Sequence, residues 1–320
     1  MIVLPYVLLV VWFALVIKGA DFLVDGASSL AKKLRISDLV IGLTVVAFGT
    51  SAPELIVNAI GSINGSNDMV LWNIIWSNIS NILLILWITA GIKSLSIEKS
   101  TIWKEIPFAL LGSLVLGILI NDQLFNGWTI SVLSGADGVI LLLFFGIFMY
   151  YTFNITKNGN HQEDASIQEF SHLKSVFFII GWMAWLAFGW NLVVDNAVSL
   201  ATMRWWSEKL IGLTILAIGT SLPELATSIA AVRKSKASMA VGNIVGSNIF
   251  NVFFVLWITS LISPVTFNPA NNIDIVINII VHILLFAILF VWKKRTLQRW
   301  QGVLFVVLYL VFLWGMFWLG

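Results

Sequence analysis

The sequence predicts an all-α polytopic membrane protein of ten transmembrane helices, arranged as two inverted five-helix repeats. Three observations predict it: an apolar composition, an alternation of basic connectors, and an internal duplication at a fixed offset. Of 320 residues, 59% are hydrophobic and 11% charged, and mean hydropathy is +0.96. A soluble domain is about one-quarter charged, so this chain carries too little charge to cover a soluble surface of its size. Net charge is +2, which gives no bulk signal for nucleic acid. Cysteine is absent, which excludes disulfides, thiolate metal sites and a thiol nucleophile.

A helix needs about 20 apolar residues to cross the hydrocarbon core. Ten stretches qualify: 2–31, 39–61, 68–90, 103–120, 138–156, 173–202, 210–231, 238–260, 273–291 and 300–319. Met1–Val16 has no basic stretch and no small-residue cleavage site, so it reads as the first span and not as a removable signal. The longest charged connector, 157–172, separates a first five-helix repeat (1–156) from a second (173–320). The 18 Lys and Arg residues are unevenly placed. Apart from Lys18, Arg204 and Lys209, all fall on one alternate set of connectors, from Lys32, Lys33 and Arg35 to Lys293, Lys294, Arg295 and Arg299. By the positive-inside rule that set is cytoplasmic. Both termini are then expected outside, in a multi-pass cell (inner or plasma) membrane protein.

Residues 41–55 (IGLTVVAFGTSAPEL) and 211–225 (IGLTILAIGTSLPEL) match closely at an offset of 170. Asn73, Ser77 and Asn81 match Asn243, Ser247 and Asn251 at the same offset, and Asp25 matches Asp195. Chance similarity between apolar helices would match Leu and Val, not Thr, Ser, Pro, Glu and Asn. An odd number of spans per copy forces the second copy upside down. Inverted repeats of this kind place a site near the bilayer midplane, at the repeat interface.

Glu54 and Glu224 lie deep inside apolar spans, where a carboxylate is costly and marks function by default. Pro53 and Pro223 precede them. Each removes a backbone donor and disturbs the helix four residues earlier, freeing the Gly49 and Gly219 carbonyls. Broken helices are tolerated where they line a cavity. Thr50, Ser51 and Glu54 share a helix face, as do Thr220, Ser221 and Glu224. The Asn73–Ser77–Asn81 and Asn243–Ser247–Asn251 stripes add amide and hydroxyl oxygens. Hard cations prefer such all-oxygen sites, and two ionised glutamates match one Ca²⁺ or two Na⁺. Interhelical hydrogen bonding is the plainer reading of the stripes. Lys18, Asp21 and Asp25 read as a local ion pair on the first helix, with a role in a sliding helix or in cytoplasmic ion entry as the sharper alternative. His161, His172 and His282 show no metal-ligand spacing, and Glu163, Asp164 and Glu169 read as a solvated loop.

At these residues the chain resembles the sodium/calcium exchanger family of the calcium/cation antiporters. The alpha-1 motif is residues 42–81 and the alpha-2 motif residues 212–251. The resemblance implies four central helices around the ions, with Glu54 and Glu224 ligating both Ca²⁺ and Na⁺. It implies further oxygens from the carbonyls of Ala47, Thr50, Ala217 and Thr220, and sodium ligation by Ser51, Ser77, Ser221 and Ser247. Asn81 and Asn251 occupy the central position where some members carry Asp, which argues against potassium dependence. It implies a secondary antiporter working by alternating access, with no enzymatic activity and no cofactor. It implies Ca²⁺ and Na⁺ as substrates and the lipid bilayer as surroundings, with no nucleic acid; the sequence does not set an oligomeric state. A proton-coupled divalent-cation exchanger and a non-transporting membrane protein remain open alternatives.

The chain departs from the family pattern at Trp72, Trp76, Trp87 and Trp257, where the family carries Gly. Small residues let membrane helices approach closely, and a Trp ring adds roughly 200 Å² of surface. A distorted site or splayed helices are therefore expected beside Ser77. Trp at Gly positions also arises when a UGA codon that a lineage reads as glycine is translated as tryptophan; UGG codons at all four positions contradict that reading.

Overall fold

The computed structural model describes residues 3–158, 170–182, 185, 217–291 and 295–319. It is mainly helical. The first half contains α1 (Val3–Leu34), α2 (Asp38–Thr50), α3 (Ala52–Ile63), α4 (Asn67–Ile92), α5 (Thr101–Leu119) and α6 (Gly135–Asn158). The second contains α7 (His172–Trp182), α8 (Ala217–Thr220), α9 (Leu222–Arg233), α10 (Ala237–Ile262), α11 (Asn272–Val291) and α12 (Arg299–Leu319). Among the described residues, five helices are long and apolar enough to cross a membrane, and a sixth span arises if α2 and α3 are one bent segment. Every span expected from the sequence contains a described helix. The rest of the sixth span beyond 182 (Trp185 excepted) and the start of the seventh, up to 216, lie outside the described residues, as do Arg204, Lys209, Asp195, His161, Glu163, Asp164 and Glu169.

Burial separates the helices into two classes. The apolar windows of α4 and α10 are 83% and 78% buried, whereas those of α5, α6 and α11 are 39%, 22% and 39% buried. The two most buried helices are also the two that carry the Asn/Ser stripes, so their polar groups must be satisfied by protein or by a ligand. The outer helices expose large apolar side chains, among them Leu143 and Phe153 on α6, Phe177 on α7 and Val303 on α12. Such faces in water would be docking or aggregation surfaces; they suit contact with hydrocarbon.

Glycine sets the central contact. A Cβ on Gly42 would stand 2.5 Å from the Met239 carbonyl oxygen, and one on Gly242 would stand 2.6 Å from that of Leu39. One on Gly246 would stand 2.8 Å from both the Leu43 carbonyl oxygen and the Ala47 Cβ. The backbones of α2 and α10 therefore touch, as small residues allow in membranes.

The connectors meet in two groups. At one end, β1 (Leu95–Ser96) pairs antiparallel with β4 (Thr296–Leu297). The Lys93 Nζ donates to the Ser235 Oγ at 3.0 Å, and Lys236 pairs with Asp38 at 3.0 Å. At the other end, β2 (Ser131–Leu133) pairs antiparallel with β3 (Val265–Phe267). Asn67 donates to Thr266 at 2.8 Å there. The first end carries the basic connectors and the second is poor in Lys and Arg, as the charge alternation predicts. Each two-stranded ribbon joins one half of the chain to the other. The turns after α3 and α9 also match at the repeat offset. Gly65 (φ 71°) and Ser235 (φ 61°) both adopt left-handed geometry, and Ser66 and Lys236 each donate back five residues, at 2.8 Å. This is a Schellman closure, which favours Gly; serine adopts it at 235.

The structure corrects one expectation. Asp21 and Asp25 do not form a local pair with Lys18. Asp25 pairs with Lys234 of the second half at 2.7 Å, and Asp21 lies 3.9 Å from the same ammonium. The Asp21 backbone oxygen accepts from that ammonium as well, at 3.0 Å.

Candidate cation site

Both glutamates start a helix. The chain breaks at Ser51 (ψ 6°), and α2 and α3 meet at a 42° bend. Ser221 (ψ 0°) makes the same break between α8 and α9. Pro53 and Pro223 occupy the first turns of α3 and α9, where a missing N–H costs nothing. Glu54 and Glu224 are therefore the third residues of their helices, and the positive helix N-termini favour their charge. The same break satisfies some carbonyls and leaves others free. Ala47 O accepts from the Ser51 N–H at 2.9 Å and from Thr50 Oγ1 at 3.3 Å, so this carbonyl is already engaged. Gly49 lies four residues before Pro53, which has no N–H to offer it. Ala217 opens α8, and its side chain lies outside the described residues.

Thr50, Ser51, Glu54, Ser77, Asn81, Thr220, Ser221, Glu224, Ser247 and Asn251 are all buried, and hydrogen bonds link most of them across the two halves. Ser77 Oγ donates to Glu54 Oε1 at 3.1 Å and lies 2.9 Å from Ser221 Oγ. Ser247 Oγ donates to Glu224 Oε1 at 3.3 Å, and Ser51 Oγ approaches the same oxygen at 3.5 Å. Thr50 Oγ1 donates to Asn243 Oδ1 at 3.0 Å, and Thr220 Oγ1 to Asn73 Oδ1 at 3.2 Å. These bonds repeat at the sequence offset. The symmetry is not perfect: Ser247 Oγ faces Thr50 Oγ1 at 3.3 Å, whereas Ser77 faces Ser221.

Within this cluster, four buried acceptors are left without a hydrogen-bond donor among the described residues: Glu54 Oε2, Glu224 Oε2, Asn81 Oδ1 and Asn251 Oδ1. They form two pairs at the repeat offset. An unsatisfied buried acceptor costs about 1–3 kcal/mol, and more when charged. A cation satisfies such oxygens without a donor, as Ca²⁺ sites built from carboxylate and carbonyl oxygens do. Asn81 and Asn251 each also open a widened, π-type helical turn (81–85 and 251–255). Such turns recur at functional sites. The hydroxyls of Thr89 and Thr259 donate to the Ile85 and Val255 carbonyls, both at 2.7 Å. Both therefore engage carbonyls at the ends of the widened turns.

Sequence reasoning missed several supporting residues. Asn73 and Asn243 donate to Asn58 Oδ1 (2.7 Å) and Ser228 Oγ (3.1 Å), so the outer ends of the two stripes are engaged with protein. Asn58 and Ser228 match at an offset of 170, a signal the sequence carries. Among the described residues no three His, Cys, Asp or Glu side chains form a metal-binding cluster, because the site draws on amides and hydroxyls.

A sequence model described as "Sodium/calcium exchanger protein" matches residues 4–154 and 174–318. The chain belongs to the sodium/calcium exchanger family. Members of the family are membrane transporters. The inner membrane protein YrbG of Escherichia coli strain K12 is 36% identical over 98% of this chain and 97% of its own length. The putative antiporter CaxA of Alkalimonas amylolytica is 38% identical over 81% of each chain. The sodium/calcium exchanger MaX1 of Methanosarcina acetivorans is 27% identical over 98% of each chain. Among solved structures, the sodium-calcium exchanger NCX_Mj superposes with a TM-score of 0.80 at 32% identity, covering 97% of this chain and 98% of that one.

Proposed function

We propose that this membrane protein is a secondary antiporter that exchanges Na⁺ for Ca²⁺ at a site built on Glu54 and Glu224. Ten spans form two inverted five-helix halves, with both termini outside. Four central segments enclose the ions: α2–α3 and α4, and the corresponding α8–α9 and α10. The observation that carries this reading is the set of four donorless oxygens on Glu54, Glu224, Asn81 and Asn251. The two carboxylates supply a charge of −2 when ionised, which one Ca²⁺ or two Na⁺ neutralises. An empty −2 site resists crossing the low-dielectric barrier. Obligatory exchange follows, because only the loaded site moves at low cost. Ser51, Ser77 and Ser247, already against the carboxylates, and Ser221, which meets Ser77, are the hydroxyls placed to shift from hydrogen bonding to Na⁺ ligation. The carbonyls of Thr50, Thr220, Ala47 and Ala217 complete the proposed set, with Ala47 O exchanging its bond from Thr50 Oγ1 for the cation.

The coupling ion is tested in proteoliposomes. Radiolabelled Ca²⁺ uptake is compared under an outward Na⁺ gradient and under an outward proton gradient without Na⁺. Uptake driven by Na⁺ supports the proposal. Uptake driven only by protons overturns the Na⁺ assignment and leaves a proton-coupled exchanger.

A further inference from the structure

We infer that Asn78, Asn248 and His282 are positioning residues that hold the amides of Asn81 and Asn251 with their oxygens turned to the cation. The inference rests on the cation site proposed above. Asn78 and Asn248 sit one residue after Ser77 and Ser247, off the polar stripes, and both are buried. Each donates its Nδ2 to the other's backbone oxygen, at 3.3 Å in both directions. Their side-chain oxygens then accept from the candidate ligands. Asn81 Nδ2 donates to Asn248 Oδ1 at 2.9 Å, and Asn251 Nδ2 donates to Asn78 Oδ1 at 3.0 Å.

The orientation is forced at every step. A backbone carbonyl only accepts, so the Asn78 and Asn248 ends that meet it must be NH₂ groups. Their oxygens must therefore face Asn251 and Asn81. Those two must then present NH₂ groups in return, and their own oxygens point away. These are the two amide oxygens left donorless. Without the relay, the Asn81 amide could flip and turn an NH₂ toward a cation, while Asn251 Nδ2 would keep only its second bond, to Ser77 Oγ at 3.2 Å. His282 backs one side only. Its Nδ1 lies 2.8 Å from the Asn278 carbonyl oxygen, which fixes the proton there. The bare Nε2 then accepts from Asn248 Nδ2 at 3.3 Å. At the repeat offset, residue 112 is Gly, so the second backing is absent and the two amides are held unequally.

The test is equilibrium binding of Ca²⁺ to the purified full chain in detergent, with Glu54→Gln as reference. Residues that orient metal ligands typically change affinity about 10- to 100-fold. Asn78→Ala and Asn248→Ala are each expected to weaken Ca²⁺ binding by about that factor. Asn78→Ala combined with Asn251→Ala is expected to be no weaker than the worse single variant, because the two act as one unit. His282→Ala is expected to give a smaller loss that His282→Gln reverses, since the Gln oxygen also accepts from Asn248. Losses that multiply in the double variant, or unchanged affinity in Asn78→Ala and Asn248→Ala, overturn the inference. If Asn78→Ala does not accumulate, the His282 pair decides: equal binding by His282→Ala and the wild-type chain overturns it. Wild-type binding abolished by Glu54→Gln but untouched by the Asn variants removes this inference alone. No Ca²⁺ binding by the wild-type chain removes the underlying site as well.

Discussion

At the scale of single residues, Glu54 and Glu224 are the carboxyl groups of the proposed site, and their neighbours decide how these are presented. Ser77 touches both Glu54 and Ser221. A hydrogen bond to a charged group contributes about 1.5–3 kcal/mol. Ser77→Ala is therefore expected to weaken half-saturating Na⁺ in flux assays by about that equivalent, with Ser247→Ala acting on Glu224 in the same direction. Much of this was legible in the sequence. Thr, Ser, Pro and Glu repeating at one offset inside apolar spans identify the residues, because each is expensive in hydrocarbon. Asn78 and Asn248 were not legible as part of the site. Helical geometry puts them off the stripe, and their role appears only once the two halves are set against each other. The partner of Asp25 was hidden for the same reason: Lys234 is distant in sequence, and only the packed structure brings the two together.

At the scale of elements, close backbone contact and broken helices bring the residues of the proposed site together. Gly246 has no room for a Cβ against Leu43 and Ala47. Overpacking costs about 1–3 kcal/mol. Gly246→Ala is expected to lower the melting temperature of the purified protein and to reduce transport, and an unchanged melting temperature would contradict the packing. The matching residue in the first half is Trp76, which is buried. Ser77 nevertheless keeps its contacts with Glu54 and Ser221, so the site is not opened at this serine. Trp72 and Trp87 carry buried ring N–H groups without an acceptor among the described residues. Each costs about 1–3 kcal/mol. Trp87 offsets part of this by stacking on Phe305, with centroids 4.1 Å apart. Trp72→Gly combined with Trp76→Gly is expected to raise thermal stability or transport relative to the chain as written. A loss of both would show that the rings are integral to the packing.

At the scale of the whole molecule, connector charge and connector contact point the same way. Basic connectors meet at one end of the bundle, and the β2–β3 ribbon lies at the other. The absence of cysteine makes single-cysteine labelling free of background. Cysteine at Gly65 or Gly127 is expected to react from outside intact cells, and cysteine at Arg35 or Ser235 only after permeabilisation. The reverse pattern would invert the proposed orientation. The ion pairs of Lys234 with Asp25 and of Lys236 with Asp38 tie the two halves together at the end that carries the basic connectors. The Lys234 and Asp25 side chains are partly exposed, at 31% and 42%. Exposed pairs contribute about 0–1 kcal/mol. Lys234→Ala is expected to cost no more than that in thermal unfolding, with the difference vanishing at high salt.

The most direct test of the central claim is radiolabelled Ca²⁺ uptake into Na⁺-loaded proteoliposomes, with the wild-type chain beside Glu54→Gln and Glu224→Gln. The four donorless oxygens predict uptake that requires internal Na⁺ and is lost in both variants. Uptake that persists when either glutamate is replaced would contradict the paired carboxylate site.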